Sequence, residues 1–429
     1  MRGRKIAMTL LLCGLALTAT SCGKANDAYK KAMDYAESGN YEKAADSFKT
    51  AIKNNKEKAE YYLDYGMTLN HLGNYKKAIK QFEKAYQKVD NKISRQNNKR
   101  VHYGEALAYY GLHKYDDAIS QCKKALEISE SKDLNGDVYA TMAMAQWVAG
   151  DSLGALGALD QLLKENSKDT AAYVMRGQIK QDMEEYDSAV QDFMKAIEID
   201  EKCYEAYFGC FETYQAAGQK DAAVESLSKI TSMQGADAEE KMQIGRAYIC
   251  LDNFEEAEDF LQDAKKEKCV EASYYLGQIA QAQKSNDKAK EYYEEYLKAA
   301  KGDVSLPTVY SNLAGCYIEQ KDYDTALEYL EQGLDLGVTN AYQDLLRNQV
   351  ILLERMGKME QAATAAADYI SAYPKDEDMA KEAEFIATRI KKKKATNSKA
   401  KASAEPSAEP SAEPSAEPTT GSGDDQTAQ

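Results

Sequence analysis

The stretch GNYEKAADSFKTAI at residues 39–52 is followed, at 73–86, by GNYKKAIKQFEKAY. The two near-copies lie 34 positions apart. A fixed period of this length sets an architecture before any one residue is weighed. Within the copies, Tyr41, Ala44, Phe48 and Ala51 match Tyr75, Ala78, Phe82 and Ala85. Offsets of −3, 0, +4 and +7 about the first alanine share one face of an α-helix.

The alanine is the best-kept mark. It returns as Ala118, Ala155, Ala189, Ala223, Ala257, Ala289, Ala326 and Ala362, and the successive gaps from Ala44 are 34, 40, 37, 34, 34, 34, 32, 37 and 36. Upstream of each lies a second periodic segment with its own small residue, such as Gly66, Ala106, Ala143, Gly177, Gly245 or Gly277. Phe211 and Val350 break that rule. Gly39, Gly73, Gly150, Gly218 and Gly357 stand between the two segments, where a left-handed helix cap is wanted. Each unit therefore reads as two amphipathic helices joined by a tight turn. One such pair cannot cover its apolar face alone, so the units stack into a solenoid. The gap of 40 predicts an insertion at 91–98, and the gap of 37 before Ala326 predicts a longer loop at 302–307.

The pattern small…Tyr…Gly-x-Tyr-x-x-Ala-x-x-x-Phe-x-x-Ala resembles the tetratricopeptide repeat, with the usual closing proline present only as Pro374. The resemblance implies an all-α fold: a right-handed α-solenoid (superhelix) of about ten helix-turn-helix repeats across 22–376. A further amphipathic helix at 377–390, with Met379, Ala383, Phe385, Ile386 and Ile390 on its apolar face, supplies the cap that a solenoid end needs. With the basic run at 391–394 it forms a capping segment. Four SAEP units follow, and 395–429 has no apolar surface to offset ordering entropy, which predicts a disordered tail.

The N-terminus reads as a targeting segment. Arg2, Arg4 and Lys5 precede an apolar run at 6–17, and Ala19-Thr20-Ser21-Cys22 follows. Small residues before a cysteine resemble a bacterial lipobox. The resemblance implies a lipoprotein signal peptide at 1–21, cleavage before Cys22 and lipid on its sulfur. The chain is then expected in a bacterial cell envelope, anchored to the outer face of the cytoplasmic membrane, with the outer membrane as the alternative.

A net charge of −15 repels phosphate backbones and argues against nucleic acid as a partner. Catalytic constellations are absent from the sequence. His71, His102 and His113 have no i, i+4 partner ligand, and no GxSxG, P-loop or GxGxxG occurs. The cysteines beyond Cys22 fit no zinc spacing. We expect no cofactor, no metal site and no enzyme activity.

In tetratricopeptide arrays the first helix of each repeat lines the inner groove. Projecting the helical period onto these segments points Tyr103, Tyr110, Trp147, Phe208 and Tyr274 inward, with Glu60, Asp137 and Glu205 near the same wall. The competing reading packs these aromatics between neighbouring repeats. The lysine, asparagine and arginine clamp by which some family members grip a carboxylate has no match here, because Met33, Leu63, Met67 and Leu107 hold comparable places. The expectation is a membrane-anchored, non-enzymatic interaction scaffold whose groove takes a basic or neutral extended peptide or protein. Two alternatives stand beside it: an envelope glycan-binding module, and a pilotin-like assembly factor of a secretion or pilus machine.

Overall fold

The computed structural model describes residues 23–88, 90–300, 306–336, 341–374 and 376–402. Ten helix pairs run through them. First helices are α1 (Gly23–Glu37), α3 (Ala59–His71), α5 (Lys92–Gly111), α7 (Asn135–Val148), α9 (Thr170–Asp182), α11 (Tyr204–Ala216), α13 (Ala238–Cys250), α15 (Val270–Ala282), α17 (Leu306–Glu319) and α19 (Tyr342–Arg355). Second helices are α2 (Tyr41–Asn54), α4 (Tyr75–Ala85), α6 (Tyr115–Glu127), α8 (Ser152–Glu165), α10 (Tyr186–Ile199), α12 (Lys220–Thr231), α14 (Phe254–Lys266), α16 (Asn286–Ala299), α18 (Tyr323–Asp335) and α20 (Met359–Ala372). The last helix, α21, spans Glu377–Ala402. No strand occurs among the described residues. The fold is an α-solenoid of ten repeats with a terminal helix.

Packing follows the size code of the sequence. Phe82 from α4 is fully buried between two glycines. A Cβ built on Gly66 would lie 2.5 Å from its ring, and one on Gly104, in the next repeat, 2.4 Å away. Phe193 lies the same way between Gly177 and Gly209, at 2.8 and 2.5 Å. One aromatic thus joins its own first helix to the following one. Burying such a ring stabilises by about 1.5–3 kcal/mol. Where the first helix carries the larger Val350, the second carries the small Ala366 in the same core.

Every turn between a first and a second helix holds one residue at positive φ. It is Gly39, Gly73, Gly150, Gly218 and Gly357 in five repeats, as expected, with φ between 67° and 86°. In the other five it is His113, Glu184, Asp252, Lys284 and Lys321, at φ 57° to 62°. The turn geometry is the same and the glycine is dispensable, at a steric cost.

Successive first helices pack on one another: α3 on α5, α5 on α7, α9 on α11, α13 on α15 and α17 on α19. No two successive second helices meet to that extent. The array therefore bends with its first helices on the inner wall.

The insertion expected at 91–98 is helical: it extends α5 at its N-terminus, where Asn91 accepts a hydrogen bond from the Ser94 N–H at 2.9 Å. Two other expectations change. Helix α21 continues through the basic run to Ala402, past the expected boundary at 394. Met379 and Ile386 are buried against the tenth repeat, but Phe385 is half exposed beneath the Arg389 guanidinium. Residues 1–22, most of the expected loop at 302–307, and 403–429 lie outside the described residues.

Candidate concave groove

The inner wall inherits one recurring charge from the first turns of its helices. Glu60, Asp137, Glu205, Glu239 and Glu271 open α3, α7, α11, α13 and α15. Acids at a helix N-terminus are favoured by the dipole. Here they also repeat along the wall, because the repeats stack in register. Glu60, Asp137 and Glu205 are all half-buried.

The repeat period reappears as hydrogen bonds between equivalent regions of adjacent first helices. Near the start of the array, Tyr29 donates its hydroxyl to Asp64 at 2.6 Å, and Arg100 reaches the other carboxylate oxygen of Asp64 at 2.7 Å. Burial, then the Asp64 charge, push the Tyr29 hydroxyl far above its ordinary value. Asp64, buried at 2% exposure, is thus paired with a cation on one oxygen and hydrogen-bonded by a neutral hydroxyl on the other. Asn70 donates to the Gly104 carbonyl at 2.8 Å. Mid-array, the Trp147 indole N–H donates to Asp182 at 3.0 Å. Partial burial raises the Asp182 carboxyl, and the indole hydrogen bond opposes that rise.

The aromatic candidates divide. Trp147 is half-buried at the end of α7. Tyr110 is half-buried near the end of α5, with its ring 5.7 Å from Tyr115. Tyr274 is half-buried on α15, where its ring meets Tyr275, Tyr293 and Tyr296 and its hydroxyl accepts from Gln278 at 2.8 Å. Tyr103 and Phe208, in contrast, are core residues at 3% and 2% exposure. The next repeat covers Phe208: the Arg246 guanidinium lies 3.6 Å from its ring centroid. At that point the wall presents a cation lying on an aromatic, not a bare ring. The candidates do not converge on one pocket: they are spread over the third, fourth, sixth and eighth repeats.

One participant, Asp182, carries no signal of its own in the sequence. Asp182 lies 35 residues beyond Trp147, so the period itself was the available signal. Arg347, which appears isolated in the sequence, is paired with Asp376 and with the Tyr369 hydroxyl.

A separate cleft of about 380 Å³ opens between repeats six and seven, lined by Phe211, Gln215, Val224 and Cys250. It lies beside the position where Phe211 replaces the usual small residue. Burial raises the Cys250 thiol to about 11, so it is not a ready thiolate. Among the described residues no cluster of His, Cys, Asp or Glu could hold a metal ion, and no helix is long and apolar enough to cross a membrane.

Family models described as tetratricopeptide repeat match residues 29–93, 170–203 and 269–337. Among curated proteins, DnaJ homolog subfamily C member 3 of Gallus gallus is 27% identical over 192 residues, which is 44% of this chain and 34% of that protein. A TPR repeat-containing protein of Methanocaldococcus jannaschii is 22% identical over 333 residues, 73% of this chain and 55% of the relative. The chain thus spans about a third and about half of those two relatives. Among solved structures, a tetratricopeptide repeat protein from Parabacteroides merdae is 17% identical with TM-score 0.40, covering 67% of this chain and 97% of that one. YrrB, described as a TPR protein with an unusual peptide-binding site, is 23% identical with TM-score 0.35, covering 45% and 94%.

Proposed function

The chain carries tetratricopeptide repeats, a fold that generally mediates protein–protein interaction, and from that premise we propose a non-enzymatic scaffold at a bacterial cell surface. Lipid on Cys22 holds it there, and its concave wall takes an extended peptide or protein segment of basic or neutral charge. The observation that carries the reading is the inner wall itself. It runs the length of the array, presents an acid in the first turn of six of its ten helices, and sets Trp147 and Asp182 together in the middle. Acidic walls steer cationic segments. Half-buried rings give stacking and cation–π contact worth about 0.5–1 kcal/mol each at exposed sites.

Trp147 is the one tryptophan of the chain, so its emission reports on the groove. Titration with Lys/Arg-rich peptides should change that emission saturably, and the affinity should fall as salt rises. Asp/Glu-rich peptides should bind more weakly. Calorimetry on Trp147→Ala should show weaker binding of the same peptides. If acidic peptides bind better, or if Trp147→Ala binds as tightly as the parent, the concave wall is not the site.

A further inference from the structure

The net charge of the chain hides a segregation along the array. Residues 23–100 carry 17 Lys and Arg against 10 Asp and Glu, a balance of +7. Residues 101–390 carry 29 against 54, a balance of −25. The basic end is the one next to Cys22.

Its charge is concentrated on an outer helix. Lys76, Lys77, Lys80 and Lys84 are all exposed on α4, whose only acid is Glu83. Lys76, Lys77 and Lys80 make no ion pair among the described residues, and the Lys84 ammonium lies over the Tyr62 ring at 5.8 Å. The equivalent helix α14 has the opposite balance, with Glu255, Glu256, Glu258, Asp259 and Asp263 against Lys265 and Lys266. At the junction of α4 and α5 two large apolar side chains are half exposed: Tyr86 at 47%, its ring 5.6 Å from that of His102, and Ile93 at 49%. Lys88 and Lys92 flank them.

We infer that the exposed face of α4, with Tyr86 after it and Ile93 at the start of α5, rests on an anionic lipid surface. Lysines without carboxylate partners, an amphipathic ring and an aliphatic side chain are the side chains that a bilayer interface accepts. An acidic protein surface would satisfy the lysines but gives no reason for Tyr86 and Ile93 to stand in water between them. The same surface repels the −25 of the later repeats, so the contact also orients the array: repeats one and two lie towards the membrane, and the later repeats project away from it. Attraction and repulsion both reach about a Debye length, ~10 Å, so the repulsion acts on any later repeat that tilts towards the surface. This contact is independent of whether Cys22 carries lipid and of what the groove binds.

The test uses the full chain with Cys22→Ser, so that no acyl chain contributes. It is sedimented with vesicles of phosphatidylcholine alone and of phosphatidylcholine with phosphatidylglycerol. A second protein adds Lys76→Gln, Lys77→Gln and Lys80→Gln; all three positions are exposed, and circular dichroism checks that the helices persist. Any binding through the apolar run at 6–17 is common to both. The parent should bind phosphatidylglycerol vesicles more tightly than phosphatidylcholine ones, and the triple variant should lose on the order of a hundredfold on the anionic vesicles only. Equal binding of the two proteins to anionic vesicles overturns the inference. So does a triple variant whose only loss is self-association in sedimentation velocity, since the partner of α4 is then the acidic end of a second copy.

Discussion

The indole N–H of Trp147 donates to the carboxylate of Asp182, 3.0 Å away and one repeat further along the inner wall. The pair makes the fluorophore a sensor for that carboxyl. Partial burial raises the Asp182 carboxyl above the ordinary value. Emission measured against pH should therefore show a step in the acid range, with its midpoint above that of a solvated aspartate. The step should vanish in Asp182→Asn. A flat profile in the parent, or an unchanged step in the variant, would mean that the two residues do not meet in solution.

Gly104 and Phe82 set the spacing of repeats two and three. A Cβ at Gly104 would fall 2.4 Å from the ring, so Gly104→Ala must push Phe82 or the α5 backbone aside. Overpacking of this kind costs about 1–3 kcal/mol. Phe82→Leu removes the obstructing ring atoms and should restore part of that loss in the double variant, giving a measurable coupling energy. Additive losses in urea unfolding would show that the glycine acts through the backbone alone.

How far the sequence could be read follows the physics of each feature. The period, the helix pairs and the terminal helix were legible, because Ala44 and its nine equivalents mark close approaches that tolerate little else. Which of the aromatics would be buried, Tyr103 and Phe208 rather than Trp147, was not. Helical periodicity assigns a residue to a face, but whether a residue at the edge of that face is covered depends on the neighbour, and Phe208 is covered by Arg246 from the next repeat. Likewise 91–98 breaks the spacing and so reads as an insertion, but the period does not say that the added residues extend α5 at its N-terminus. Pairs such as Trp147–Asp182 are visible only once the register between repeats is known.

The turns offer a paired test. Lys284 holds φ at 58° in the place where Gly73 holds 67°. A side chain in that region costs about 1–2 kcal/mol, offset in part by the entropy that glycine adds to the unfolded chain. Lys284→Gly should therefore raise stability by roughly 0.5–1 kcal/mol, and Gly73→Ala should lower it by about 1 kcal/mol. Thermal melts of the two single variants check both signs. Two shifts of the same sign would mean that the turn conformation is not what distinguishes these positions.

The C-terminal cap should come loose in acid. Asp376 accepts the Tyr369 hydroxyl at 2.6 Å and the Met379 N–H at 3.0 Å, and Arg347 lies 2.5 Å from the same carboxylate. The Tyr369 hydrogen bond is the largest influence, and together these contacts hold the Asp376 carboxyl down at about 2. A carboxyl depressed on folding contributes stability that is fully present above the unfolded value, about 3.9. That contribution is lost as pH falls from there towards 2. The loss is local, because these contacts join α20 and α19 to the start of α21 and to nothing earlier in the array. Amide exchange in α21 should therefore accelerate, relative to the intrinsic rate, over that window, while α3 and α4 keep their protection. Asp376→Asn should show the looser cap already at neutral pH and little further change on acidification. Uniform loss of protection along the whole chain, or an α21 as well protected in Asp376→Asn as in the parent, would remove Asp376 as the residue that fastens the terminal helix.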